Sequence, residues 1–137
     1  MKRGEIWTLQ ADGYASKPWP VVIVQDDAVD RFDSVITCLL TSYDSSDIDT
    51  RVRLEPSPEN GLNKVSYVMT DKIVTVDRKL LGYKIGVVDD AVMTNIGRQL
   101  MRVLGCCSAS RPSRRRAAAS TASGRPDERI SDQGRLA

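Results

Sequence analysis

Hydrophobic and polar positions alternate over short runs along most of the chain, a pattern typical of antiparallel strands. Residues 5–9 alternate polar and apolar side chains as a half-buried strand does, and residues 51–55 do the same with one charged face. Residues 21–24 form a continuous β-branched run, which predicts a central, buried strand. Further strands are predicted at residues 34–41, 65–69, 73–76 and 83–88. The intervals between them are too short for helical crossovers, so the pattern predicts a mainly β fold with an antiparallel sheet.

Apolar side chains recur at helical spacing only once, over residues 89–104. The positions that share this spacing are Val92, Ile96, Leu100 and Val103. Asp89 or Asp90 can cap the start of the helix, and Gly105 can close its end. The chain is therefore predicted to carry one C-terminal helix that covers one side of the sheet.

Composition changes after Gly105. Residues 106–137 are rich in Ser, Ala and Arg, and their only large aliphatic side chains are Ile130 and Leu136, which predicts a disordered tail after a single domain at residues 1–105. The domain carries 13 Lys and Arg against 15 Asp and Glu, a net charge of −2, whereas the tail carries 7 Arg against 3 acids, a net charge of +4. Nucleic-acid binding by the domain would therefore require a local basic surface.

The absence of histidine and the spacing of the cysteines limit the catalytic and metal-binding chemistry available to the chain. The chain has no histidine, the commonest general base and metal ligand. Of its three cysteines, Cys106 and Cys107 are adjacent, a spacing unsuited to metal sites or ordinary disulfides, and Cys38 lies in an apolar run and is predicted to be a reduced core residue. We therefore expect no metal and no cofactor. No apolar run approaches the ~20 residues that span a bilayer, and the N-terminus lacks the apolar stretch of a signal peptide, so a cytoplasmic protein without membrane contact is predicted.

Six short segments, taken in order, carry a resemblance to a known family. They are Arg-Gly-Glu-Ile-Trp at 3–7, Pro-Val-Val-Ile-Val-Gln-Asp-Asp at 20–27, Leu-Leu-Thr-Ser at 39–42, Gly-Leu at 61–62, Asp-Lys-Ile-Val-Thr-Val at 71–76 and Leu-Gly-Tyr-Lys-Ile-Gly at 81–86. In these segments the chain resembles the MazF/PemK toxins from residue 2 to about residue 105. The resemblance implies an SH3-like antiparallel β-barrel, a homodimer and a cognate antitoxin as protein partner. It also implies sequence-specific cleavage of single-stranded RNA without a metal, the activity of an mRNA interferase.

The reaction implied by this resemblance is attack of the ribose 2′-hydroxyl on the adjacent phosphorus, which leaves a cyclic phosphate and a 5′-hydroxyl. It requires a proton acceptor, a proton donor and a cation or strong donors near the phosphoryl oxygens. Thr41 matches the family's strand-end threonine, and Asp71 matches an acidic position implicated in acid–base work, so both are predicted to be catalytic. Without the resemblance, Thr41 would be interpreted as a strand-capping residue and Asp71 as a turn residue.

The chain departs from the family at Trp19, where the family has an arginine directly before the proline that opens the second strand. An indole offers one neutral N–H donor and no positive charge. Loss of an arginine that stabilises transition-state charge can reduce the rate on the order of 10³-fold. Trp19 is open to three interpretations: a contact to a second subunit or antitoxin, a stacking platform for an unpaired base, or a degenerate catalytic position.

The residues predicted to bind RNA are Lys17, Trp19, Ser42 and Lys72. Lys17 can supply the missing cation or be a solvated surface lysine, and Lys72 can contact RNA or pair with Asp71. Two alternatives to a ribonuclease of reduced activity remain open at this point. One is a catalytically degenerate protein of toxin fold that binds antitoxin or RNA, and the other is a gyrase poison of similar fold.

Overall fold

The computed structural model describes residues 1–10 and 17–106. The predicted disorder of the tail falls almost entirely outside these residues, as does most of the loop before Lys17. The strands and helices described below all lie in the unit Met1–Leu104.

Six strands form one antiparallel sheet. The strands are β1 (Glu5–Leu9), β2 (Trp19–Ile23), β3 (Ser34–Thr41), β4 (Val52–Leu54), β5 (Ser66–Asp77) and β6 (Leu81–Val87), in the order β4-β5-β3-β2-β1-β6. A short 3-10 helix (Arg78–Leu80) joins β5 to β6, and the helix α1 (Asp90–Leu104) follows β6. The mainly β architecture with a C-terminal helix is therefore confirmed.

The largest error of the sequence prediction concerns β5. Two short strands separated by a turn at residues 70–72 were expected, but one strand runs without interruption through this region. Two residues along β3, from Cys38 to Leu40, correspond to five along β5, from Ile73 to Val68. The residues expected to form a turn therefore form a bulge, which keeps the strand continuous while shifting its register.

The helix α1 begins and ends as predicted, and Val92, Ile96 and Leu100 of its predicted apolar face pack against the core. The Asp89 carboxylate accepts a hydrogen bond from the Ala91 N–H at 3.0 Å, so Asp89 is the cap, and Gly105 ends the helix at φ 73°. Met93 and Ile96 are buried, whereas Val103 is 37% exposed. Val103 is therefore not among the residues that pack against the core, although it shares the helical spacing.

The core is divided between the two faces of the sheet. One cluster packs under α1 and includes Val22, Cys38 and Leu40, and the other includes Val21 and Val35. Cys38 is fully buried, as predicted, and this burial raises the pKa of its thiol to about 12. The thiol is therefore protonated and inert under ordinary conditions.

The edge strands β4 and β6 do not pair with each other directly. The turn that follows β4 contacts β6 instead. The Val87 N–H donates to the Glu59 carbonyl at 2.9 Å. A Cβ at Gly86 would lie 2.3 Å from the Asn60 carbonyl carbon, and a Cβ at Gly61 would lie 2.2 Å from the Ile85 oxygen. Only glycine permits this approach, which gives the sheet its barrel-like closure and fixes the segment that follows Gly61.

Candidate functional site

A groove of about 350 Å³ lies where β2 begins and β3 ends. The register of these strands pairs Val21 with Leu39, and its extension by two residues places Trp19 opposite Thr41. The groove is lined by Trp19, Pro20, Leu40, Thr41, Ser42, Asn63, Lys64 and Ser66. Three of the residues predicted from the sequence, Trp19, Thr41 and Ser42, therefore meet at one site.

The Trp19 side chain is held in place by its one hydrogen-bond donor, the indole N–H. The indole Nε1 donates to the Leu40 carbonyl at 2.8 Å, while 40% of the residue remains exposed. The N–H is thus used within the protein and is not free to bind a phosphoryl oxygen. The exposed part of the residue lines the groove as an apolar surface.

Thr41 combines a local structural contact with access to the groove. Its Oγ1 accepts a hydrogen bond from the Tyr43 N–H at 3.1 Å, which shapes the turn after β3. This contact uses a lone pair of the hydroxyl, so its proton can still be donated to another group. Thr41 therefore caps the end of β3, and its hydroxyl proton remains available as a hydrogen-bond donor at the groove.

Asp71 lies in the β5 bulge and is not among the residues that line the groove. The Arg51 guanidinium donates to both carboxylate oxygens at 3.0 Å, and Arg51 also donates to the Ser45 hydroxyl at 3.0 Å. The hydrogen bonds from Arg51 outweigh partial burial and hold the pKa of Asp71 below its usual value. Asp71 is therefore an anion at neutral pH, which suits a structural partner better than a proton donor.

Arg51 was missed from the sequence because its alternating segment predicted only a strand with a wet face. One role predicted for Lys72 was to pair with Asp71, but Lys72 does not form an ion pair within the described part of the chain. Lys72 lies exposed on β5 and is not part of the groove lining. The predictions that Asp71 is catalytic and that Lys72 binds RNA remain predictions.

The polar segment 42–50, which connects β3 to β4, is folded against its neighbours. The Tyr67 hydroxyl donates to Asp44 at 3.1 Å, and Arg102 of α1 pairs with Asp49 at 3.0 Å. The Thr70 hydroxyl donates to the Thr50 carbonyl at 2.6 Å. Asp49 is therefore paired with a cation, whereas Asp44 accepts a hydrogen bond from a neutral hydroxyl and keeps its negative charge.

Two lysines occupy different parts of the surface near Trp19. Lys17 lines a neighbouring groove of about 590 Å³, which shares Pro20 and Asn63 with the first groove. Lys64 lines the same groove as Thr41. No sequence pattern pointed to Lys64, since an isolated lysine after a turn is usually a solvated surface residue.

Within residues 1–10 and 17–106, no group of three or more His, Cys, Asp or Glu side chains can hold a metal ion. No helix in this described part is long and apolar enough to cross a membrane.

Comparison with known proteins supports the resemblance seen in the sequence. Residues 2–104 match the family model of PemK-like, MazF-like toxins of type II toxin-antitoxin systems. A probable endoribonuclease MazF from Mycolicibacterium smegmatis is 40% identical over 109 residues, which cover 77% of this chain and 97% of the relative.

Solved structures agree. An endoribonuclease in complex with its cognate antitoxin, from a mycobacterial species, is 30% identical with a TM-score of 0.66, covering 77% of this chain and 95% of the other. A MazE–MazF complex from Deinococcus radiodurans shares the fold at 18% identity, with a TM-score of 0.62 and coverage of 77% and 95%. The match of the family model across nearly the whole described unit, together with the 40% identical relative, shows that the chain belongs to the PemK/MazF family of type II toxin-antitoxin toxins.

Proposed function

We propose that this chain is the toxin of a type II toxin-antitoxin system and a metal-independent endoribonuclease that cuts single-stranded RNA at short sequences. The observation that carries the proposal is the single groove that contains Trp19, Thr41 and Ser42. A hydroxyl donor and an exposed aromatic surface at one groove suit a phosphate and an unpaired base. The 40% identical relative, described as a probable endoribonuclease, supports the same activity.

In the proposed reaction, the ribose 2′-hydroxyl attacks the phosphorus and the 5′-oxygen leaves, giving a 2′,3′-cyclic phosphate and a 5′-hydroxyl. The Thr41 hydroxyl donates a hydrogen bond to a phosphoryl oxygen as charge develops there. Trp19 adds no charge, because its indole is neutral and its N–H is bound to the Leu40 carbonyl. The activity is therefore weaker than that of an otherwise identical enzyme with arginine at this position.

The partners follow from the same family membership. We expect a cognate antitoxin, because a 30% identical endoribonuclease is found in complex with its own antitoxin. We also expect a homodimer that acts in the cytoplasm, where its RNA substrate is present.

The test incubates the full chain with a long single-stranded RNA in the presence of EDTA. Cleavage at a restricted set of short sequences, lost in the Thr41→Ala variant, is the expected result. Loss of cleavage on chelation would overturn the metal-independent mechanism, and equal cleavage by Thr41→Ala would overturn the assignment of the groove.

A second candidate function is favoured by the use of the Trp19 N–H within the protein. A protein of this fold without catalytic charge can still bind RNA or antitoxin. Binding of the same RNA in EDTA, with no fragment formed even at high protein concentration, would favour this function over cleavage.

A further inference from the structure

The groove at Thr41 lacks the arginine of the family, yet an RNA strand brings a negative charge to it with each phosphate. A neutral indole and a hydroxyl do not compensate that charge. Lys64 is the cationic side chain among the residues described as lining this groove. It is exposed and lies between the Gly61 turn and the start of β5.

The backbone that carries Lys64 is held from both sides. On the N-terminal side, the Asn60 side chain accepts hydrogen bonds from the Ser57 and Leu62 N–H groups, both at 3.0 Å, and donates to the Glu55 carbonyl at 2.7 Å. On the C-terminal side, the Ser66 hydroxyl donates to the Lys64 carbonyl at 3.1 Å. The Lys64 main chain is therefore fixed, and a ligand does not have to order it.

The Lys64 ammonium, in contrast, has no ion-pair partner within the described part of the chain. Two other lysines are engaged, since Lys84 pairs with Glu5 at 3.2 Å and Lys79 lies 3.8 Å from Asp77, and Lys72, which has no ion pair in the described residues, lies outside the groove lining. A fixed backbone with an unpaired ammonium suits an incoming anion, because no internal salt bridge must be broken on binding.

We propose that Lys64 binds a phosphate of the RNA strand beside Thr41 and so provides the positive charge that Trp19 does not. The assignment rests on the proposed RNA function of the groove. It differs from the sequence prediction, which offered Lys17 as the source of this charge. Lysine acts as a point charge without the planar fork of arginine, so it compensates charge but does not orient the phosphate as strictly.

Binding is measured with the full chain and a single-stranded RNA whose 2′-hydroxyls are methylated, so that no cleavage can occur. The Kd is determined at several salt concentrations for the wild type and for Lys64→Ala. We expect roughly tenfold weaker binding in Lys64→Ala and a salt slope, log K against log salt, that is smaller by about 0.7, the value for one lost phosphate contact on a single strand. Lys64→Arg should keep both the affinity and the slope.

Lys79→Ala is the matched control, because Lys79 is exposed on the 3-10 helix, outside the groove lining. Unchanged affinity and slope in Lys64→Ala would overturn the proposal, as would an equal loss in Lys79→Ala, which would indicate a general charge effect. Failure of the wild type to bind this RNA would overturn it as well.

Cleavage of unmethylated RNA separates this proposal from the proposed function. If the wild type binds through Lys64 but does not cleave, the ribonuclease function fails and the Lys64 assignment stands. If the wild type cleaves and Lys64→Ala has the same kcat/KM and salt slope, the function stands and the Lys64 assignment fails.

Discussion

Replacement of Trp19 by arginine tests whether a positive charge at this position of the groove increases the rate of RNA cleavage. The position lies opposite Thr41 in the extended β2–β3 register, so a guanidinium there is placed beside the proposed scissile phosphate. The change removes the 2.8 Å hydrogen bond to the Leu40 carbonyl, at a cost of about 1 kcal/mol in the free energy of unfolding. Stabilisation of transition-state charge should increase kcat/KM about 10²-fold or more, equivalent to about 2.7 kcal/mol. A loss of this size is a small part of a typical domain's stability, so the variant should stay folded and the gain in kcat/KM should be measurable.

The assay compares kcat/KM for Trp19→Arg with that for the double variant Trp19→Arg, Thr41→Ala. A repaired active site requires the Thr41 hydroxyl, so the double variant should lose most of the gain. If the added arginine only increased non-specific affinity for RNA, the variant would bind RNA more tightly whether or not the Thr41 hydroxyl is present. If the wild type cleaves efficiently and Trp19→Arg changes nothing, the catalytic position assigned from the family does not apply to this chain.

Three further predictions concern stability. In the folded protein, Arg51 holds the pKa of Asp71 below its usual value, so the ion pair of Arg51 and Asp71 stabilises the fold at pH values above the ordinary carboxyl pKa. This stabilisation is lost as the pH falls through the lowered pKa of Asp71. The Tm of Asp71→Asn should thus lie below that of the wild type at about pH 6 and approach it in acid; a constant difference would contradict this. Gly86→Ala should lower the free energy of unfolding by about 1–3 kcal/mol in chemical denaturation, because its Cβ would lie 2.3 Å from Asn60 backbone, and an unchanged midpoint would refute that contact. A chain ending at Gly105 should keep the circular dichroism spectrum of a folded sheet and dimerise; an unfolded spectrum would show that the tail is required.

The fold was predictable where local pattern and tertiary contacts agree. The β-branched run at residues 21–24 and the alternation at 5–9 each correspond to a strand, since burial dictates both patterns. The continuity of β5 was not predictable, because residues 70–72 have a turn-like composition. They remain in a strand that also makes contacts to residues distant along the chain, such as the hydrogen bond from Thr70 to the Thr50 carbonyl, which no local pattern encodes.

The candidate site was predictable only in part, for a related reason. Thr41 and Trp19 were identified by their positions relative to conspicuous strand motifs, and the structure places both at one groove. Arg51 was not identified, because its partner Asp71 is 20 residues away along the chain. Lys64 was not identified either, because it reaches the groove through the turn that bridges the two edges of the sheet.

The most direct test of the central claim is the chemistry of the RNA ends that the full chain produces in EDTA. A 2′-hydroxyl attack assisted by the Thr41 groove predicts fragments with a 2′,3′-cyclic phosphate and a 5′-hydroxyl, identified by mass spectrometry of a short oligonucleotide cut at one site. Fragments that end in a 3′-hydroxyl and a 5′-phosphate, or the absence of any fragment, would contradict the account.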